Sequence, residues 1–76
     1  MNHSDRFIAY RIRVEGLVRQ DRFEDLLATP LPEGETLLCG RLDQAGLHGV
    51  LNRIRDLGLV LIAVHRVPDE KGIPHA

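Results

Sequence analysis

Residues 43–67 have the sequence DQAGLHGVLNRIRDLGLVLIAVHRV, and this stretch decides the fold. Its first half predicts an α-helix, because apolar residues recur there at helical spacing: Leu47, Val50, Leu51, Ile54 and Leu57. Asp43 is a favourable N-cap residue, and Gly58 stands where helices commonly end in a glycine. The second half, from Leu59 to Val67, is apolar nearly throughout and predicts a strand. The stretch therefore predicts a helix-then-strand unit.

Two further strands are predicted before this unit. From Phe7 to Gly16 apolar and polar residues alternate, which is the pattern of a half-buried strand. One face of this strand carries Ile8, Tyr10, Ile12 and Val14, and the other carries Arg11, Arg13 and Glu15. Residues Thr36 to Leu42 form the other predicted strand, which leads directly into the helix.

The segment between these strands predicts a short helix and a short edge strand. Asp21 and Glu24 have the spacing of a helix N-terminal signal, and Phe23, Leu26 and Leu27 then share one side of the predicted helix. This helix must end before Pro30, because the residue before a proline avoids the α conformation. Thr29 to Pro32 is the predicted edge strand, and Pro32-Glu33-Gly34-Glu35 has the composition of a turn.

The predicted fold class is α+β, with the element order β-α-β-β-α-β. Two β-α-β units with right-handed crossovers give a ferredoxin-like sandwich, in which both helices cover one face of an antiparallel sheet. The alternative is β-β-α-β, with a loop in place of the first helix. Residues 7–67 are predicted to form a single domain, and residues 1–6 and 68–76 are predicted to be flexible tails.

Composition excludes several classes of protein. The chain has 76 residues, a net charge of −1 and a single cysteine, Cys39. This charge argues against a nucleic-acid partner, because such binders usually carry a basic excess. The longest apolar run is too short to span a membrane, and the first residues lack the apolar segment of a signal peptide. A lone cysteine suits a reducing compartment, so we expect a cytoplasmic protein.

No catalytic, cofactor-binding or metal-binding residue is predicted. Cys39 and His48 could in principle form a nucleophile and base, but an inert strand cysteine and a solvated histidine explain them better. No two histidines have the spacing of a zinc motif. The acidic residues around Asp21 are better explained by helix capping than by acid-base chemistry.

Six residues are candidates for an interface or a ligand site: Gly46, Gly49, Arg11, Arg13, Leu61 and His65. The two glycines lie inside the predicted helix, where each costs about 1 kcal/mol relative to alanine, and this cost suggests close approach of another backbone. Arg11 and Arg13 are predicted on the open face of the sheet, opposite the helices. Leu61 and His65 belong to the apolar last strand, which lies at an edge in a ferredoxin-like sheet. Because a long apolar edge strand invites aggregation unless it is covered, we predict a homodimer.

One stretch resembles a known group of proteins. Residues 43–59, together with the segment Tyr10 to Gly16 (YRIRVEG), resemble a family of short uncharacterised bacterial proteins with the pattern "YxIRVxG... DQAxLHGxLxRIRDLGL". The resemblance covers most of residues 8–66 and is poorest from Ala28 to Pro32. That family has no established activity, so the resemblance implies no catalytic residues.

A weaker similarity is to ACT-type regulatory domains, which are ferredoxin-like and bind amino acids at subunit interfaces. Gly49-Val50-Leu51 and Leu57-Gly58-Leu59 carry this similarity.

Three functions follow as hypotheses. The first is a non-enzymatic, self-associating module that also binds an unidentified protein. The second is an ACT-like sensor that holds an amino acid between subunits near Gly46 and Gly49, and the third is a small dimeric enzyme with an internal pocket.

Overall fold

The computed structural model describes residues 6–67, which form a four-stranded antiparallel sheet and one α-helix. The strands are β1 (Ile8–Glu15), β2 (Leu27–Leu31), β3 (Glu35–Leu42) and β4 (Val60–Arg66), and the helix is α1 (Gln44–Asp56). Their order across the sheet is β2-β3-β1-β4. The predicted flexible tails lie outside the described residues, apart from Arg6.

The core forms on one face of the two central strands. Ile12 of β1 lies opposite Leu38 of β3 and opposite Val64 of β4, and directly paired residues share a face. The buried apolar residues are Tyr10, Ile12, Val14, Phe23, Leu26, Leu38, Leu42 and Ile54. The predicted inward face of β1 is therefore confirmed, with Ile8 half-buried at its end.

Helix α1 has the predicted ends. Asp43 is its N-cap, and the Oδ1 atom of this residue accepts a hydrogen bond of 2.7 Å from the backbone N–H of Gly46. Gly58 follows the helix with a φ of 75°, a left-handed conformation that favours glycine. The backbone N–H of Leu59 donates to the carbonyl of Ile54 at 3.0 Å, which closes the turn into β4. Neither α1 nor any other helix of the described residues has the length and apolarity needed to cross a membrane.

The predicted first helix is not confirmed. Residues Gln20–Arg22 form a single 3-10 turn, and β2 begins at Leu27. The Gln20 side chain satisfies backbone groups that a helix would satisfy internally. Its Nε2 atom donates to the carbonyls of Phe23 (3.0 Å) and Leu26 (2.5 Å), and its Oε1 atom accepts from the N–H of Ala28 (2.9 Å). The two-helix sandwich is therefore not confirmed. The β-β-α-β alternative correctly predicted a loop in place of the first helix, but it omitted β2, which is a regular strand in spite of its proline.

Residues 17–26, termed the cover loop, occupy the place of the missing helix. Phe23 and Leu26 from this loop are buried against the sheet. Gly40 of β3 makes this packing possible, because a Cβ atom there would lie 2.5 Å from Cδ2 of Leu26. The guanidinium of Arg53 joins the loop to α1, since it donates to the carbonyl of Arg22 at 2.9 Å and lies 5.8 Å from the centre of the Phe23 ring.

Thr36 holds the start of the cover loop. Its side chain is almost fully buried, with 1% exposure, and its hydroxyl donates to the carbonyl of Gly16 at 2.7 Å. The same oxygen accepts from the N–H of Val18 at 3.2 Å. Both polar functions of a buried hydroxyl are thus satisfied, and the chain leaves β1 in one defined direction.

Candidate functional site

Strand β4 is an apolar edge of the sheet that nothing in the described chain covers. It pairs only with β1, so its other side has no neighbouring strand. Four of its apolar side chains are well exposed: Val60 (57%), Leu61 (44%), Ile62 (37%) and Val64 (37%). Within β4 the residues from Val60 to Val64 are all apolar, and only His65 and Arg66 at its end are polar.

The backbone of β4 also offers groups to a partner. The N–H of Val67 donates to the carbonyl of Ala9 at 2.8 Å, so Val67 points its polar groups towards β1. In an antiparallel pair this direction alternates along the strand. The N–H and C=O groups of Val64 and Arg66 therefore point away from β1, towards the free edge. A register shift opposite the Arg13–Val14 step leaves Ile62 without a partner in β1, so the regular half of β4 begins at Ala63.

The opposite edge of the sheet is protected. Strand β2 is five residues long and contains Pro30, which has no backbone N–H to donate. Short strands and prolines are among the devices by which proteins prevent edge-to-edge pairing. Leu27 on this strand is 63% exposed, so apolar exposure alone does not distinguish the two edges. Strand β4 differs in having seven residues and no proline, although the register shift at Ile62 interrupts its edge.

The open face of the sheet carries a second feature, a shallow cleft of about 280 Å³. Its lining residues are Arg11, Arg13, Leu31, Leu37, Ala63 and His65. They come from all four strands, and the pairing explains how they meet. Arg11 lies opposite His65, and Arg13 lies between Leu37 and Ala63. Three predicted site residues, Arg11, Arg13 and His65, are therefore brought together.

The guanidinium groups of the cleft have different environments. The Nε atom of Arg13 lies 3.1 Å from Oε1 of Glu35, in a partly exposed ion pair. No carboxylate of residues 6–67 lies within ion-pair distance of Arg11, although the side chain is exposed. The cleft therefore contains one guanidinium that is neutralised and held in place and one that is free to bind an anion.

Two other depressions occur at the ends of the sheet. One, of about 410 Å³, is bordered by Arg6, Arg41 and Arg66 and lies where the chain enters and leaves the described range. The other, of about 240 Å³, lies beside the start of the cover loop and includes Leu17 and Leu59.

Gly46 and Gly49, the two glycines predicted at an interface or ligand site, border none of these three depressions. A Cβ atom at Gly46 would lie 3.0 Å from Oδ1 of Asp43 and 3.3 Å from Leu42, so the N-cap explains that glycine. A Cβ atom at Gly49 would have no neighbour within 4 Å. Contacts within the described chain therefore do not explain Gly49.

The remaining predicted site residue, Leu61, lies on β4 and does not line the open-face cleft.

The structure separates the other candidate groups. Cys39 lies opposite Arg11, on the open face, whereas His48 belongs to α1 on the covered face. The sheet therefore stands between this nucleophile and base. Asp21 forms an exposed ion pair of 3.0 Å with Arg19 and caps no α-helix, so its predicted capping role is wrong. Sequence reasoning missed Leu31, Leu37 and Ala63, since their positions beside the arginines depend on strand register.

Comparison with known proteins gives one match. The model of a family described as a domain of unknown function, DUF8691, matches residues 9–65. This agrees with the expected membership of an uncharacterised family. No curated protein and no solved structure gives a significant match.

Proposed function

The chain belongs to the DUF8691 family, and from this premise we propose that it is a small, non-enzymatic, self-associating protein-interaction module. The observation that supports the proposal is the exposed apolar edge of β4. The proposed occupant of this edge is β4 of a second copy, paired antiparallel. A further, unidentified protein partner would bind the resulting homodimer.

A second copy suits this edge because antiparallel pairing around a two-fold axis is self-complementary. If the axis passes beside Val64, the outward N–H and C=O groups of this residue pair with those of its copy. Arg66 then lies opposite Ile62 of the copy, so the two positive charges stay apart. Ala63 lies opposite His65 of the copy, and an eight-stranded sheet results. A charged partner strand would find no complementary charge between Val60 and Val64.

The small size of the core also favours association of two copies. We propose that the fold is a reduced ferredoxin-like sandwich in which the cover loop replaces the first helix, and the strand order β2-β3-β1-β4 supports this. A domain of about this size buries only about 60% of the surface of its unfolded chain. Apolar area buried between two copies adds to this small core.

The test compares the same substitution on the two edges of the sheet. Leu61→Lys places a charge on the β4 edge, and Leu27→Lys places one on the β2 edge, where the residue is also exposed (63% against 44% for Leu61). Sedimentation velocity between roughly 1 and 100 μM, a range that covers micromolar affinities, measures the mass. We expect about twice the chain mass of 8.6 kDa for the wild type and for Leu27→Lys, and the single mass for Leu61→Lys.

Circular dichroism shows whether the variants fold. A monomeric wild type at the highest concentration contradicts the proposal, and so does a folded Leu61→Lys variant that remains a dimer. Hydrogen exchange of the wild type gives an independent measurement. The amide of Val64 should exchange more slowly as the concentration rises, whereas that of Ala28, which points to the free side of β2, should not change.

Two other elements belong to the proposal. The single cysteine, Cys39, is free, which supports a reducing, cytoplasmic location.

The ACT-like alternative places an amino acid between subunits near Gly46 and Gly49. The observation in its favour is that no contact within the described residues explains Gly49. Protection of Gly49 from solvent in the dimer would support that alternative over β4 pairing.

A further inference from the structure

We infer that the open-face cleft binds a small organic carboxylate that carries an apolar group. All six lining residues belong to one chain, so the inference does not depend on the proposed dimer. It concerns the face of the sheet opposite α1, which the proposed pairing of β4 edges leaves exposed.

The spacing of the basic side chains suits one carboxylate. Arg11 and His65 lie directly opposite each other on β1 and β4. Side chains paired in this way start about 4.5–5.5 Å apart at Cβ, so their N–H groups reach the same anion. Arg13 follows two residues after Arg11 on the same face, at about 7 Å along the strand. A guanidinium donates two parallel hydrogen bonds to a carboxylate, which gives the pair a defined geometry.

The charges around the cleft favour an anion. Its lining includes two arginines and a histidine but no acidic residue. Glu35 pairs with Arg13 from outside the lining and holds that guanidinium in place. Arg11 has no such partner in residues 6–67. An incoming carboxylate therefore meets one unpaired guanidinium, with a second one fixed beside it.

The apolar lining of the cleft and its volume indicate the part of the ligand other than the carboxylate. Leu31, Leu37 and Ala63 provide an apolar surface between the basic groups. The volume of about 280 Å³ lies just below the usual range of about 300–1,000 Å³ for small-molecule sites, which favours a small ligand. A branched aliphatic acid of some eight heavy atoms matches both, because its alkyl group covers the leucines while its carboxylate reaches Arg11.

The test is an NMR titration with 4-methylvalerate as the probe. Two related compounds separate the contributions: 4-methylvaleramide keeps the apolar group without the charge, and inorganic phosphate keeps the charge without the apolar group. We expect saturable shifts of the Arg11, Ala63 and His65 amides with 4-methylvalerate, at a Kd on the order of 1 mM. The amide and phosphate should each bind about tenfold more weakly.

Substitutions locate the site. Arg11→Met keeps an unbranched apolar stem but removes the guanidinium, and it should weaken 4-methylvalerate binding by about tenfold, as expected for loss of a charged hydrogen bond. Arg55→Met is the matched control on the exposed surface of α1 and should leave the Kd unchanged. The inference is overturned if 4-methylvalerate gives no saturable shift up to roughly 20 mM, well above the expected Kd. It is also overturned if the shifts map elsewhere, or if Arg11→Met binds as tightly as the wild type.

Discussion

Replacing Gln20 with alanine should destabilise the fold by far more than its place in a surface loop suggests. This side chain makes three hydrogen bonds to the backbone of the segment that the sequence predicted to be a helix. Two are donated to the carbonyls of Phe23 and Leu26 and are partly buried, and the third, from Ala28, is exposed. Alanine removes all three bonds.

The magnitude follows from the burial of these bonds. A net contribution of about 1 kcal/mol for each partly buried bond, and little for the exposed one, gives about 2 kcal/mol in the free energy of unfolding. For a domain of this size 1 kcal/mol changes the Tm by about 4–8 °C, so the expected decrease is roughly 8–16 °C.

Urea unfolding followed by far-UV circular dichroism measures the effect, because the chain has no tryptophan. All variants must be compared at one protein concentration, since association would stabilise the folded state. Gln44→Ala is the matched control: Gln44 is exposed on α1 and its side chain makes no hydrogen bond within residues 6–67. It should change stability by less than about 0.5 kcal/mol. Equal midpoints for the two variants would refute the role assigned to Gln20.

Three further substitutions test the packing by the same measurement. Thr36→Val keeps the volume of a buried side chain but leaves the carbonyl of Gly16 without its donor, so we expect a loss of about 1–3 kcal/mol; Thr36→Ser should lose less, and the reverse order would contradict the hydrogen-bond argument. Gly40→Ala should cost about 1–3 kcal/mol, because its Cβ overlaps Leu26, and an unchanged midpoint would show that the cover loop moves freely. Gly49→Ala should raise stability by up to about 1 kcal/mol, since its Cβ meets no atom and alanine favours the helix; a weaker dimer would instead place this glycine in an interface.

The unit that decides the fold was predicted closely from local signals. The apolar spacing in residues 43–57, the N-cap at Asp43 and the glycine at position 58 each act within one or two helical turns. These signals are therefore visible in the sequence. The observed helix, Gln44–Asp56, and strand, Val60–Arg66, lie within the predicted bounds.

The cover loop was not predicted, because its causes are not local. The Asp21 and Glu24 spacing favours a helix, but Gln20 competes for the same carbonyls through its side chain. Gly40, which gives Leu26 its place, lies on another strand. A helix in this segment would gain capping at its N-terminus but would lose the Gln20 hydrogen bonds and the packing of Leu26 against Gly40. The observed loop keeps these contacts.

The candidate site was predicted only in part, because strand alternation is a local signal and strand register is not. Alternation along β1 places Arg11 and Arg13 on one face without any knowledge of their neighbours. The register between strands determines that His65 lies beside Arg11 and that Leu37 lies beside Arg13. Alternation cannot supply that register, so the floor of the cleft appears only in the structure.

The central position of β1 also determines when the chain can fold. Tyr10 pairs with Gly40 on one side and with Arg66 on the other, so the first strand meets its last partner near the far end of the sheet-forming sequence. Contacts of such long sequence separation slow folding, because a long loop must close before they form. During synthesis β1 and β3 can pair early, but the second ladder of β1 must wait until β4 has left the ribosome. Until then the apolar face around Ile12 lacks part of its cover, which makes chaperone binding to the nascent chain a physical expectation of this strand order.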